Sequence, residues 1–140
     1  MKLNFGCGRR KTPGYINIDI SKEVKPDVVW DIENLSYPEE WRQVDAIRLN
    51  NLLEHVNSVI LIDILNVLHR RMKIGGEIHI TVPVIKSTDE NLDAVFGDPT
   101  HINYFTERTF DYFDYKHHRY LDYGKSYGII PWERIQTMGV

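Results

Sequence analysis

Cysteine is almost missing: Cys7 is the single one in 140 residues. An internal disulfide is excluded, and so is a zinc site built on cysteine pairs. Long apolar runs are missing as well. The longest, Val59 to Leu68, is interrupted by Asp63 and Asn66 and is too short to cross a bilayer. No apolar leader opens the sequence, no segment repeats and none is low in complexity. An excess of positive charge is lacking too. Seventeen Lys and Arg stand against twenty Asp and Glu, a formal net charge of −3, which disfavours a nucleic-acid partner held by overall charge. These absences lead to the expectation of a cytoplasmic protein without a membrane segment. What is present is ordinary: 42% hydrophobic and 26% charged residues, a globular composition at the length of one domain, 1–140.

The pattern along the chain alternates strands with longer connections. Lys2 to Phe5 reads as a strand that runs into Gly6-Cys7-Gly8, and Gly8 to Gly14 as a loop carrying Arg9, Arg10 and Lys11. Tyr15 to Ile20 is β-rich and forms a second strand. A break at Lys25-Pro26-Asp27 precedes a third, Val28 to Ile32. Tyr37 to Trp41 reads as a short helix opened by Pro38. Asp45 to Leu49 is the fourth strand, and Asn50 and Asn51 suit a turn. Leu61, Ile64, Leu65, Leu68 and Met72 recur at helical spacing, which predicts a helix over Ser58 to Met72. Asn57 or Ser58 can cap its start and Gly75 its end. Glu77 to Val82 is the fifth strand, stopped by Pro83. Lys86 to Pro99 reads as loop, Thr106 to Tyr115 as helical, and Ile129 to Met138 as a last strand. Such alternation implies an α/β domain with a mainly parallel sheet and flanking helices.

In sheets of this class ligands bind beyond the carboxyl ends of the strands, near the point where strand order reverses. That rule selects three features. Gly6 and Gly8 let the backbone bend and a ligand approach the main chain. Asp19, at the end of the second strand, can accept from the two hydroxyls of a ribose. Asp31, at the end of the third, can accept from an adenine amino group while the Ile32 N–H serves a ring nitrogen. Each feature alone is common in turns and caps. Their placement on three successive strand ends is what a nucleoside pocket requires.

These residues carry a resemblance. Lys2-Leu3-Asn4-Phe5-Gly6-Cys7-Gly8, then Pro13-Gly14-Tyr15-Ile16-Asn17-Ile18-Asp19, resembles the opening of small class I S-adenosylmethionine-dependent methyltransferases of the type 11 group. Leu52-Leu53-Glu54-His55-Val56, Arg71 through Pro83, and Gly97-Asp98-Pro99-Thr100-His101 are similar to later segments of that group, in the same order. The resemblance implies a Rossmann-like methyltransferase domain with S-adenosyl-L-methionine as cofactor. Gly6, Cys7 and Gly8 would lie along its methionine end, Asp19 at the ribose, Asp31 and Ile32 at the adenine. Asn50, Asn51 and Leu52 would close over the sulfonium. The pattern departs from the group in three places. Asn4 stands where an acid is frequent, Arg10 where a third glycine would fall, and the Gly6-to-Asp19 crossing is too short for a full helix. The cations at 9–11 are candidates to replace the missing positive helix end.

Methyl transfer is a displacement at carbon, so a protein mainly positions the acceptor and excludes water. A hydroxyl or amine acceptor benefits from a base, and Glu54, His55 and His101 are the candidates. Each also has a plain structural role open to it, in fastening a helix start or a loop. His117 and His118 are adjacent and make a poor metal pair, so no metal site is expected. Six of eight tyrosines fall between Tyr104 and Tyr127, either covering the sheet or forming an acceptor pocket or partner surface. The acceptor's size and chemistry, the methylated atom and any homo-oligomer stay open. A non-catalytic module that keeps the fold and binds the nucleoside is the competing reading. A nicotinamide-dependent oxidoreductase fits less well, because the last glycine of its fingerprint and the helix after it are missing.

Overall fold

The computed structural model describes residues 1–86 and 92–135. Five strands form one parallel sheet: β1 (Lys2–Phe5), β2 (Ile16–Asp19), β3 (Val28–Val29), β4 (Val44–Asn50) and β5 (Met72–Thr81), in spatial order β3-β2-β1-β4-β5. The order reverses between β1 and β4, so the cleft-forming edge lies above the carboxyl ends of these two strands. The α/β class, the parallel sheet and the first four strand positions match the sequence reading. β3 is shorter than expected, because the chain leaves the sheet after Val29.

The sheet has two unlike faces, dictated by alternation along the strands. Leu3 and Phe5 of β1, Ile18 of β2 and Ile47 and Leu49 of β4 are buried in one core with Ile64, Leu65 and Leu68 of helix α1 (Leu61–Arg71). Tyr37, Trp41 and Phe105 close the same core. On the other face the paired positions Asn17, Asn4, Arg48 and His79 form a polar row across four strands.

The expected helix over Ser58 to Met72 is present as a 3-10 turn, Ser58–Ile60, followed by α1. Asn57 caps the turn by accepting from the Val59 N–H at 3.0 Å. Gly75 does not cap α1. The helix stops at Arg71 and Met72 already pairs with Val44, so 73–76 bulge out before regular pairing resumes at Glu77. Tyr37 to Trp41 is not a helix. The backbone closes only one turn there, the Trp41 N–H on the Pro38 carbonyl at 3.0 Å, and Arg71 holds the carbonyls of Tyr37, Pro38 and Trp41 with its guanidinium at 3.0, 2.8 and 3.3 Å.

The region read as loop from Lys86 to Pro99 contains a short helix, α2 (Leu92–Phe96), anchored by buried Val95; 87–91 lie outside the described residues. Thr106 to Tyr115 contributes a 3-10 turn, Thr109–Phe113, in place of an α-helix. The expected last strand is not formed over its described part. The Asn66 side chain on α1 donates to the Gly128 carbonyl and accepts from the Ile130 N–H, both at 2.8 Å, and only a single bridge joins Asp114 to Trp132. Positions 136–138 of that strand lie outside the described residues. Among the described residues no helix is long and apolar enough to cross a membrane.

Candidate active site

A cleft of about 240 Å³ opens above the carboxyl ends of β1, β2, β3 and β4, lined by Phe5, Gly6, Asp19, Ile20, Trp30, Asp31, Ile32, Glu33, Leu52, His55 and Val56. Of the residues singled out in the sequence, Gly6, Asp19, Asp31, Ile32, Leu52 and His55 meet here. Each arrives by a strand end. Asp19 closes β2, Asp31 and Ile32 follow β3, Gly6 follows β1, and Leu52 follows β4.

Asp19 is fixed in place by its backbone neighbours. Its Oδ2 accepts from the Gly8 N–H and its Oδ1 from the Ser21 N–H, each at 2.9 Å. Both oxygens keep a second lone pair for a ligand. Asp31 is held similarly by the Glu33 N–H at 2.9 Å. Behind it the buried Tyr37 hydroxyl donates to the Ile32 carbonyl at 2.7 Å, and burial pushes that phenol's pKa up. Ile20, 66% exposed beside Asp19, and Trp30 supply apolar surface to the cleft.

Gly6 adopts φ +66°, and a Cβ there would lie 3.1 Å from Leu52 Cδ1. Glycine is therefore required by the turn and by Leu52 packing across it. Four sequence candidates do not reach the cleft wall. The Gly8 amide turns to Asp19, and Cys7 is buried with its thiol toward the Gly8 carbonyl at 3.4 Å. Burial, and then the Asp19 charge, push the Cys7 thiol's pKa up. Asn50 and Asn51 are exposed at the tip of β4, where Asn51 takes φ +50° and donates its N–H to the Thr81 carbonyl at 2.8 Å. The turn strain is one that asparagine tolerates.

The short crossing from β1 to β2 is held by amides that sequence reading passed over. Asn4 Nδ2 donates to Asn17 Oδ1 at 2.9 Å, and Asn17 Oδ1 also accepts from the Thr12 N–H at 2.8 Å. Asn17 Nδ2 reaches the Thr12 and Tyr15 carbonyls. Asn4 thus stands in place of an acid because its donor fastens the loop. Lys11 donates to the Lys25 carbonyl, so it ties the loop to the β2–β3 connection, while Arg9 and Arg10 are exposed.

The fold closely resembles one solved structure. A crystal structure of a SAM-dependent methyltransferase from Archaeoglobus fulgidus superposes with a TM-score of 0.64, at 24% identity, over 90% of this chain and 58% of that one. The fold is that of a class I methyltransferase. This chain spans a little over half the length of that protein, and what the two share is the fold. No protein-family model and no curated protein matches the chain.

Beside the cleft the methyltransferase fold gathers all three catalytic candidates, Glu54, His55 and His101. The 3-10 turn Leu53–His55 follows β4, and the loop carrying His101 is clamped to it. Ile102 and Asn103 donate their N–H groups to the Glu54 carbonyl at 2.8 and 3.1 Å, and Asn103 Nδ2 reaches the Leu53 and Val56 carbonyls. The two imidazole rings consequently meet edge to face, 4.7 Å apart. Glu54 Oε1 lies 3.9 Å from His55 Nε2. Its side chain is 2% exposed, burial raises its pKa, and Oε2 has no hydrogen-bond partner among the described residues. Asp98 and Thr100, missed as individual residues, complete the cluster. The Thr100 hydroxyl donates to Asp98 Oδ1 at 2.6 Å and lies 3.0 Å from His55 Nδ1.

The aromatic stretch divides. Phe105 joins the core and Phe110 and Phe113 pack against it, whereas Tyr104, Tyr115, Tyr123 and Tyr127 are about half exposed. Phe105, Phe110 and Phe113 cover the sheet, those four tyrosines do not, and Tyr120 is itself buried.

Proposed function

We propose that the chain is an S-adenosyl-L-methionine-dependent methyltransferase. The observation that carries this reading is the meeting of Asp19, Asp31, Ile32, Gly6 and Leu52 around one cleft at the reversal point of a class I methyltransferase fold. In it Asp19 takes the ribose hydroxyls, Asp31 and the Ile32 N–H take the adenine edge, and Ile20, Trp30 and Leu52 flank its faces. A cleft near 240 Å³ is below the roughly 300–1,000 Å³ of ordinary ligand pockets. It suits one nucleoside, with the reactive tail continuing past Leu52 toward His55, and is small for a dinucleotide.

Chemistry then needs an acceptor lone pair in line with the methyl–sulfur bond. The pair attacks carbon, the carbon–sulfur electrons return to sulfur as a neutral thioether, and the positive charge passes to the acceptor, which sheds it as a proton. His55 is the member of the catalytic cluster that faces the cleft, with Glu54 and His101 behind it. The acceptor, small or macromolecular, approaches on that side.

Titration calorimetry with S-adenosylhomocysteine, the demethylated product, tests the reading directly. The expected outcome is one site per chain, with a nicotinamide dinucleotide giving no heat. Absence of product binding overturns the proposal. Binding with no transfer across a broad acceptor panel favours the non-catalytic nucleoside module.

A further inference from the structure

We propose that Glu54, His55 and His101 form a site for one divalent transition-metal ion of the Zn²⁺ type, and that the bound ion holds the acceptor's oxygen beside the cleft. One donor atom from each of the three side chains lies within 4.8 Å of the others. Ligands on one zinc, at bond lengths of about 2.0–2.2 Å, sit roughly 3–4 Å apart, and Glu54 Oε1 and His55 Nε2 are 3.9 Å apart.

The surroundings of the imidazoles are those of metal ligands. His101 Nδ1 lies 2.8 Å from the Val95 carbonyl, an acceptor, so Nδ1 carries the proton; Nε2 faces Asp98 Oδ2 at 3.6 Å, beyond hydrogen-bond distance, and keeps its lone pair. The Thr100 hydroxyl spends its proton on Asp98, so at His55 the Nδ1–H donates to Thr100 and Nε2 is again left as the lone-pair atom. Outer hydrogen bonds of this kind orient ligating histidines and fix their tautomer. Glu54 supplies an independent sign. A carboxylate 98% buried with one oxygen unpartnered among the described residues is costly without a cation. Two imidazoles with one carboxylate suit Zn²⁺ and its neighbours, whereas Mg²⁺ demands a shell of oxygens.

His55 belongs to both the cluster and the cleft wall, so an open coordination position faces the acceptor. This second half of the proposal rests on the methyl-transfer reading above. Coordination draws charge from an acceptor hydroxyl, whose proton leaves to solvent. The oxygen's lone pair forms the bond to the methyl carbon, the carbon–sulfur bond breaks, and its electrons stay on sulfur. An ether and a neutral thioether result, and the ion is unchanged. The histidines then act as ligands and not as bases.

The test is calorimetric titration of the chelator-treated full chain with Zn²⁺, alongside the visible absorption of Co²⁺ in the same site. One ion per chain is expected, together with the intense bands of a low-symmetry nitrogen–oxygen site. His55→Ala and His101→Ala should each weaken binding by at least about tenfold, and Thr100→Val, which keeps all three ligands, by roughly tenfold. Glu54→Gln should weaken it as well, and the two histidine variants decide the matter if that variant does not fold. No ion bound by the wild-type chain, or undiminished binding by the His55→Ala/His101→Ala double variant, overturns the site. S-adenosylhomocysteine binding is measured on the same metal-free sample. A chain that takes the nucleoside but no ion refutes the metal site alone. One that takes the ion but no nucleoside supports the site and refutes the methyl-transfer reading.

Discussion

Replacing Asp19 by alanine separates a nucleoside site from a mere strand-end cap. In the free protein the carboxylate accepts two backbone N–H groups at 2.9 Å. Bonds to a charged group contribute about 1.5–3 kcal/mol each when well shielded. Asp19 is only half-buried, so water replaces part of the loss, and about 1–3 kcal/mol of stability should go. At roughly 3 °C per kcal/mol for a chain of this size, the melting temperature should fall by about 3–9 °C. The effect on the ligand is larger. Two ribose hydroxyls donating to one carboxylate represent about 3–6 kcal/mol, or roughly 10²–10⁴ in Kd. At a hundredfold excess of S-adenosylhomocysteine over its Kd, the wild-type chain gains about 2.7 kcal/mol, near 8 °C. The variant at the same concentration gains no more than about 0.4 kcal/mol, near 1 °C. Ser21→Ala, which removes only the hydroxyl accepting from the Glu23 N–H, should keep the full response. A thermal-shift series that found Asp19→Ala responding like the wild type would refute the ribose assignment.

Other predictions concern the scaffold. Asn17→Ala leaves the buried Asn4 amide with only Thr12 Oγ1 at 3.3 Å and removes the acceptor of the Thr12 N–H, and should cost about 3 kcal/mol in urea unfolding. A loss under about 0.5 kcal/mol would mean the loop is held by something else. Gly76→Ala should destabilise by about 1–3 kcal/mol, since its Cβ would lie 2.8 Å from the immovable Val44 carbonyl oxygen; a melting curve unchanged from wild type counts against the bulge. Asp27 has its pKa lowered, first by the Asn17 N–H and then by the Asn17 side chain. Its contribution is therefore full above the unfolded carboxylate value near pH 4 and fades as pH falls through the lower folded value. Asp27→Asn should flatten the acid end of the stability profile and leave the pH 6–8 plateau nearly level.

Much of the architecture was legible because period-2 and period-3.6 patterns coincide with burial. β1, β2, β4 and α1 each place their apolar residues on one side, and they came out near their expected bounds. Asp19 and Asp31 were legible for a topological reason, since a strand end in a parallel sheet is already a site edge. The misses share a different cause. Tyr37 to Trp41 looked helical until a guanidinium from α1 claimed its carbonyls, and the Ile129 segment looked like a strand until Asn66 took its backbone groups. Cys7, Gly8, Asn50 and Asn51, expected along the donor's tail and over its sulfonium by motif position, stand outside the lining of the cleft. Long-range polar contacts of this kind leave no periodic trace. The same holds for Glu54, His55 and His101, named singly but brought to one point by backbone bonds across nearly fifty positions.

The tether of asparagines that replaces the first crossover helix has a bearing on what the cleft can tell apart. A donor's carboxylate tail would meet no helix end there, and with Lys11 committed to the Lys25 carbonyl only Arg9 and Arg10 remain near that stretch of chain. On the proposed reading, recognition is thereby weighted to the sugar and the base. On the methyl-transfer reading, truncated compounds such as adenosine or methylthioadenosine should rival the full donor for occupancy, and a cell rich in them would slow transfer by competition.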